Sequence, residues 1–136
     1  TSVMGQNETL RVALDMTEEW DKATDGASGL TMGCVVVRTE FVQQNKEALD
    51  LFLDEYERSV QTVTSAEGLE HAAQLAEQYN IVKAPVARKA IPACNIVFVQ
   101  GEQMQQIAGG FLEVLYQANP KSVGGKLPDA NFYYNR

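Results

Sequence analysis

Long apolar runs are missing from this sequence. No stretch approaches the roughly 18 consecutive apolar residues of a membrane-spanning helix. Positive charge is scarce too: 11 Lys and Arg stand against 18 Asp and Glu, a formal charge of −7, with Arg88-Lys89 the only adjacent basic pair. A nucleic-acid or anionic-membrane surface needs a concentrated basic patch, so neither partner is expected. Histidine occurs once, as His71. That excludes a His-rich metal site, and no metal or cofactor is expected. His71 lies beside a small apolar helical stripe and reads as structural.

Cysteine occurs only at positions 34 and 94. A bridge between them would close a loop of about 60 residues, worth about 4 kcal/mol by chain entropy. The alternative is two small buried hydrophobes. The count does not decide the redox compartment. The first ten residues, TSVMGQNETL, lack the basic start and apolar run of a signal peptide, and there is no initiator Met. The chain is therefore expected to begin at a cut.

The length of 136 residues suits one core, and an apolar share of 45% is that of an ordinary globular protein. Leu10–Leu14 alternates like a short strand. Thr17 is a candidate N-cap for a helix over EEWDKA, with Glu18 and Glu19 where the helix dipole favours acid. A break at Asp25–Gly29 is the best candidate linker. Leu30–Arg38 is continuous and valine-rich, as in a strand buried on both faces.

Thr39 can cap a short helix over Glu40–Gln44. From Glu47 the positions Leu49, Phe52, Leu53, Tyr56, Val60 and Val63 form one helical stripe. Ser65 caps the next helix, whose stripe is Leu69, Ala72, Ala73, Ala76 and Tyr79. Pro85 suits the first turn of a short helix that Pro92 must end. Asn95–Val99 is a further strand candidate. The most regular stripe follows Gly101, through Met104, Ile107, Ala108, Phe111, Leu112, Leu115 and Ala118. Gly109-Gly110 inside it predicts a close packing contact or a kink. The aromatic tail is expected to dock on the body.

Catalytic constellations are thin. Glu18-Glu19-Asp21 and Asp54-Glu55-Glu57 read as solvated helix faces, not acid/base pairs. Gly124-Gly125-Lys126 lacks the GxxxxGK[ST] of a phosphate loop. Cys34 has no neighbouring base to activate it. The stretch LTMGC, residues 30–34, comes close to a lipoprotein cleavage box. The charged residues before it argue that the match is coincidental and that Cys34 sits in a buried strand. Trp20 flanks the linker, where it could stack on a ligand or anchor its short helix.

Taken in order, LRVALDMTEEW, LTMGCVVVRTEFVQQNKEALDLFLDEYERSV, CNIVFVQGEQM and LYQANPKSVGGKLPDANFYY resemble the C-terminal half of substrate-binding proteins of ABC importers. The branch is the nitrate/sulfonate/taurine type, with the type II periplasmic-binding fold. The likeness runs from about Leu10 to Tyr134, and Asn119–Tyr134 is its most distinctive part.

The resemblance implies an α/β fold: a helix-rich partial lobe with few strands, at about 10–15, 30–38 and 95–99, and helices packed on them. It implies that residues 1–28 end a small lobe and cross between lobes, and that 29–136 are the C-terminal part of the large lobe. The implied function is that of the solute-binding component of an importer, not an enzyme. Its ligand would be a small polar organic solute, its partner the transporter permease, and its place extracytoplasmic, periplasmic or anchored at the cell surface. Trp20, Thr31, Met32 and Gly33, near the crossing, are the implied ligand-binding residues. Family members are about twice this length or more. The chain is thus expected to lack a complete cleft, and to need either the missing N-terminal half or self-association. The competing readings are an enzyme like the pyrimidine-precursor synthases of the same fold, with His71 as its one histidine, and a self-standing interaction domain.

Overall fold

A computed structural model describes residues 2–136. The α-helices are α1 (Ser2–Gln6), α2 (Met16–Thr24), α3 (Thr39–Gln44), α4 (Lys46–Thr64), α5 (Ala66–Gln78), α6 (Ala84–Ala90) and α7 (Gly101–Ala118). Three 3-10 turns, Ile91–Ala93, Pro120–Val123 and Ala130–Phe132, complete the regular structure. Among the described residues there is no strand or sheet, and the architecture is all-α.

This corrects the α/β expectation at all three of its strands. Residues 10–15, 30–38 and 95–99 carry no ladder. Arg38 serves as the N-cap of α3, and Asn95 takes a left-handed φ of 50°. Nor are they buried: Val12, Leu14, Met32, Val36 and Val97 are all well exposed. Cys34, expected in a buried strand, and Cys94, weighed as a bridge partner or a small buried hydrophobe, are exposed free thiols. The physical reason is that valine-rich alternation records what a side chain tolerates. A strand forms only when a second strand takes up its N–H and C=O groups.

The helices themselves follow the sequence closely. α4, α5 and α7 fall on the three long stripes. The Ser65 hydroxyl accepts from Gly68 N at 2.9 Å, the expected N-cap. α2 starts slightly earlier than expected: the Asp15 carboxylate, not Thr17, caps it, accepting from Thr17 N at 2.9 Å and Glu18 N at 3.4 Å. It ends where expected, with Asp25 and Gly26 both at positive φ. Pro85 lies in the first turn of α6, and Pro92 stands in the 3-10 turn that replaces further α-helix.

The chain divides into two units. The first comprises Thr1–Arg11 and Arg38–Phe98, the second Val12–Val37 and Val99–Arg136. In the first, α5 packs on α4 and α6 through small side chains. Its centre is Ala73, Ala84 and Ala87, with Ala76, Val82 and Ile91 around them. Alanine at these positions lets the α5 and α6 backbones approach closely. The price is a thin core, and the Phe52–Tyr56 face of α4 stays half open, its rings stacked at 5.9 Å. In the second unit α7 is the spine, and the tail turn Pro120–Val123 folds back against it.

Candidate functional site

A concavity lies in each unit. In the second unit the site is built from α7 and the tail. Asn119 ends α7, and its side-chain oxygen accepts from Lys121 N at 3.2 Å, starting the turn that Gly124 and Gly125 close at φ 78° and 86°. Asp129 accepts from Asn131 N at 2.9 Å and so opens the last 3-10 turn. That turn brings the Tyr133 hydroxyl to 3.7 Å from where a side chain at Gly109 would begin. The hollow, open to solvent, is about 210 Å³, lined by Gln105, Gly109, Leu127, Asp129 and Tyr133 among others. The Gln105 amide and the Tyr133 hydroxyl are polar groups able to donate hydrogen bonds there.

Trp20 of the same unit is held elsewhere. Its ring meets Phe111 of α7 at 5.1 Å between centroids, and its Nε1–H donates to Ser28 O at 2.9 Å. Thr24 Oγ1 donates to Trp20 O at 2.9 Å, and Ser28 itself is buried. The tryptophan therefore fastens α2 and the linker to α7. Thr31, Met32 and Gly33 lie on the segment beyond Ser28 that carries no regular secondary structure; Thr31 is half-buried and the other two are exposed. None of the four lines the second-unit hollow. Gln105, Asp129 and Tyr133 were not singled out from the sequence. Of these, only Asp129 carried a local signal, as a turn-capping side chain after Pro128.

The first unit has a larger groove, about 570 Å³, between α4, α5 and the turn at Ile91. Arg58, Thr62, His71, Leu75, Tyr79 and Ile91 are among its lining residues. Arg58 pairs with Glu55 at 2.8 Å on its rim, and both are exposed. His71 is thus a groove-edge residue on the exposed side of α5.

Two glutamates organise the charge around α6. Arg88 Nε and Nη2 donate to Glu70 at 2.6 and 2.8 Å. These bonds hold the Glu70 carboxyl below its ordinary range against an opposing cost of desolvation, and the Gln74 amide adds a lesser lowering. The same pair pushes Arg88 further above its usual value. Glu77 is lowered by its bond to the Lys83 ammonium and then by the Ala84 N–H, which donates to it at 3.1 Å. Glu77 so acts as a distant cap for α6, whose own N-cap, Lys83, has no side-chain acceptor. Among the described residues no group of three His, Cys, Asp or Glu converges as metal ligands would. No helix among them is long and apolar enough to cross a membrane.

No family model, curated protein or solved structure matches the chain.

Proposed function

We propose that the chain is the C-terminal part of the solute-binding component of an ABC importer of the nitrate/sulfonate/taurine type. It would capture a small polar organic solute by hydrogen bonding, without bond chemistry, and work outside the cytoplasm alongside a permease. The observation that carries this reading is the stretch Asn119–Tyr134, the most distinctive part of the sequence resemblance. Its Asn119 cap, paired glycines and Asp129 cap form two defined turns on α7 and place Tyr133 beside Gln105 in one hollow. At about 210 Å³ the hollow is smaller than the roughly 300–1,000 Å³ of complete small-molecule sites. That size suits a contribution to a larger cleft whose remaining wall comes from the N-terminal part of the receptor.

The test is a titration of the isotopically labelled chain with taurine, methanesulfonate and nitrate, followed by amide and indole NMR shifts. Weak, saturable shifts are expected at the amides of Gln105, Gly109 and Tyr133, which line the hollow, and shifts at Trp20, Thr31, Met32 and Gly33 would extend the site toward the crossing. Absence of saturable shifts with all three solutes would remove the Gln105–Tyr133 hollow as part of the cleft. Tight, stoichiometric binding would instead overturn the expectation of an incomplete cleft.

A further inference from the structure

Residues 30–37, Leu-Thr-Met-Gly-Cys-Val-Val-Val, have the composition of a strand, lie in no helix, and have no partner strand among the described residues. They leave Ser28, whose carbonyl is fixed by Trp20 Nε1 and Thr24 Oγ1, and run to Arg38 at the start of α3. Among the described residues no backbone–backbone hydrogen bond engages any of them. Their exposure alternates with the two-residue period of a strand: Met32 is 89% and Val36 81% exposed, against 49% for Val35 and 38% for Val37. Cys34 lies on the same, barer face as Met32 and Val36. A row of open N–H and C=O groups beside apolar side chains is a template for another extended chain.

The total surface says independently that something is left uncovered. The protein exposes 10522 Å² at 15.0 kDa. Two entirely separate globules of half that mass would together expose about 8,500 Å². Whatever the arrangement of its two units, then, the chain carries an excess of about 2,000 Å², which is the scale of a protein interface.

The segment also fits a copy of itself. Leu30–Val37 contains no Asp, Glu, Lys or Arg, so in a chain of net charge −7 it is a place where two copies meet without opposing like charges. Paired antiparallel about a dyad at Cys34, Met32 faces the partner's Val36, Val36 faces the partner's Met32, and the two Cys34 side chains stand opposite each other. That is an isologous contact, closed by one two-fold axis. We propose that a second copy of this chain covers this edge, pairing antiparallel along Leu30–Val37. The inference goes beyond the receptor reading and does not depend on solute binding.

Sedimentation velocity across a dilution series of the whole chain, with hydrogen exchange at each concentration, tests it. A reversible dimer of twice 15.0 kDa is expected, with exchange at residues 31–37 slowing as concentration rises. Val36→Lys should weaken dimerisation at least about tenfold, with helical circular dichroism unchanged because Val36 makes little contact in the monomer. Ile81→Lys, at a similarly exposed site in the other unit (77%), should leave dimerisation as it was. In a Cys94→Ser background, oxygen with a copper–phenanthroline catalyst should link the two Cys34 thiols as a disulfide, taking up their two protons and two electrons. The proposal is overturned by a chain that stays monomeric throughout. Equal loss of association in both lysine variants overturns it too, as does a dimer whose 31–37 amides exchange unchanged.

Discussion

Arg88 grips Glu70 with two parallel hydrogen bonds, from Nε at 2.6 Å and Nη2 at 2.8 Å, and so ties α6 to α5 from outside the alanine core. Bidentate geometry is the form in which an exposed ion pair has most effect, because the planar guanidinium matches both carboxylate oxygens. It lies on the packing of α5 against α6, which forms the centre of the first unit.

The pair predicts an acid-sensitive first unit. Glu70 and Glu77 are both held below their ordinary value when folded, so the unfolded chain takes up protons first as pH falls. Their stabilising effect is complete above the ordinary glutamate pKa of about 4.3 and is lost as pH drops through the lowered folded values. Thermal melts between neutral pH and about pH 3 should show Glu70→Gln less stable than the parent at neutral pH and converging with it in acid. Parallel curves at every pH would show that the Arg88 contact carries no such linkage.

Gly68 predicts a loss out of proportion to one methyl group. It is buried in the first turn of α5, and a Cβ there would press on the backbone C=O of Thr62, which has no flexible end to yield. Gly68→Ala should therefore destabilise the protein by about 1–3 kcal/mol, although alanine is the better helix former. Ser65→Ala, which removes the cap to Gly68 N and the hydroxyl's bond to Thr62 O, should cost about 1 kcal/mol. Urea melts of the two variants provide the comparison. A neutral Gly68→Ala would mean that the α4–α5 turn relaxes freely.

Gly110 predicts the opposite sign. A Cβ there would meet Ser28 Cβ and Oγ at 3.5 Å, an ordinary van der Waals contact, so helix propensity decides. Gly110→Ala should stabilise the protein by up to about 1 kcal/mol, and Gly109→Ala, 3.7 Å from the Tyr133 hydroxyl, should behave similarly. A lowered melting temperature for Gly110→Ala would show that α7 needs a closer approach to Ser28 than this.

Where an element satisfies its own backbone, local sequence was a sound guide. The stripes through Leu49, Leu69 and Met104 predicted α4, α5 and α7, and Ser65 and Pro92 marked ends that the chain uses. Trp20 was legible as either an anchor or a ligand platform, and its bond to Ser28 O and contact with Phe111 give it an anchoring role. The hollow at Gln105 and Tyr133 was not legible, since it exists only because the tail folds back onto α7.

By itself, then, the sequence determined the long helices and the Ser65 cap, because i to i−4 hydrogen bonds and N-cap contacts close within a few residues, while the caps of α2 and α3 fell on Asp15 and Arg38 and not on Thr17 and Thr39. Tertiary structure alone decided the fate of 10–15, 30–38 and 95–99, because a strand's hydrogen bonds must be completed by residues outside it. Their composition was that of strands, and no neighbour within the described chain makes them so. It also decided which of the two adjacent glycines of α7 faces Ser28 and which faces Tyr133. Those contacts join positions far apart in the chain, and helical periodicity does not specify which segment will pack against each face.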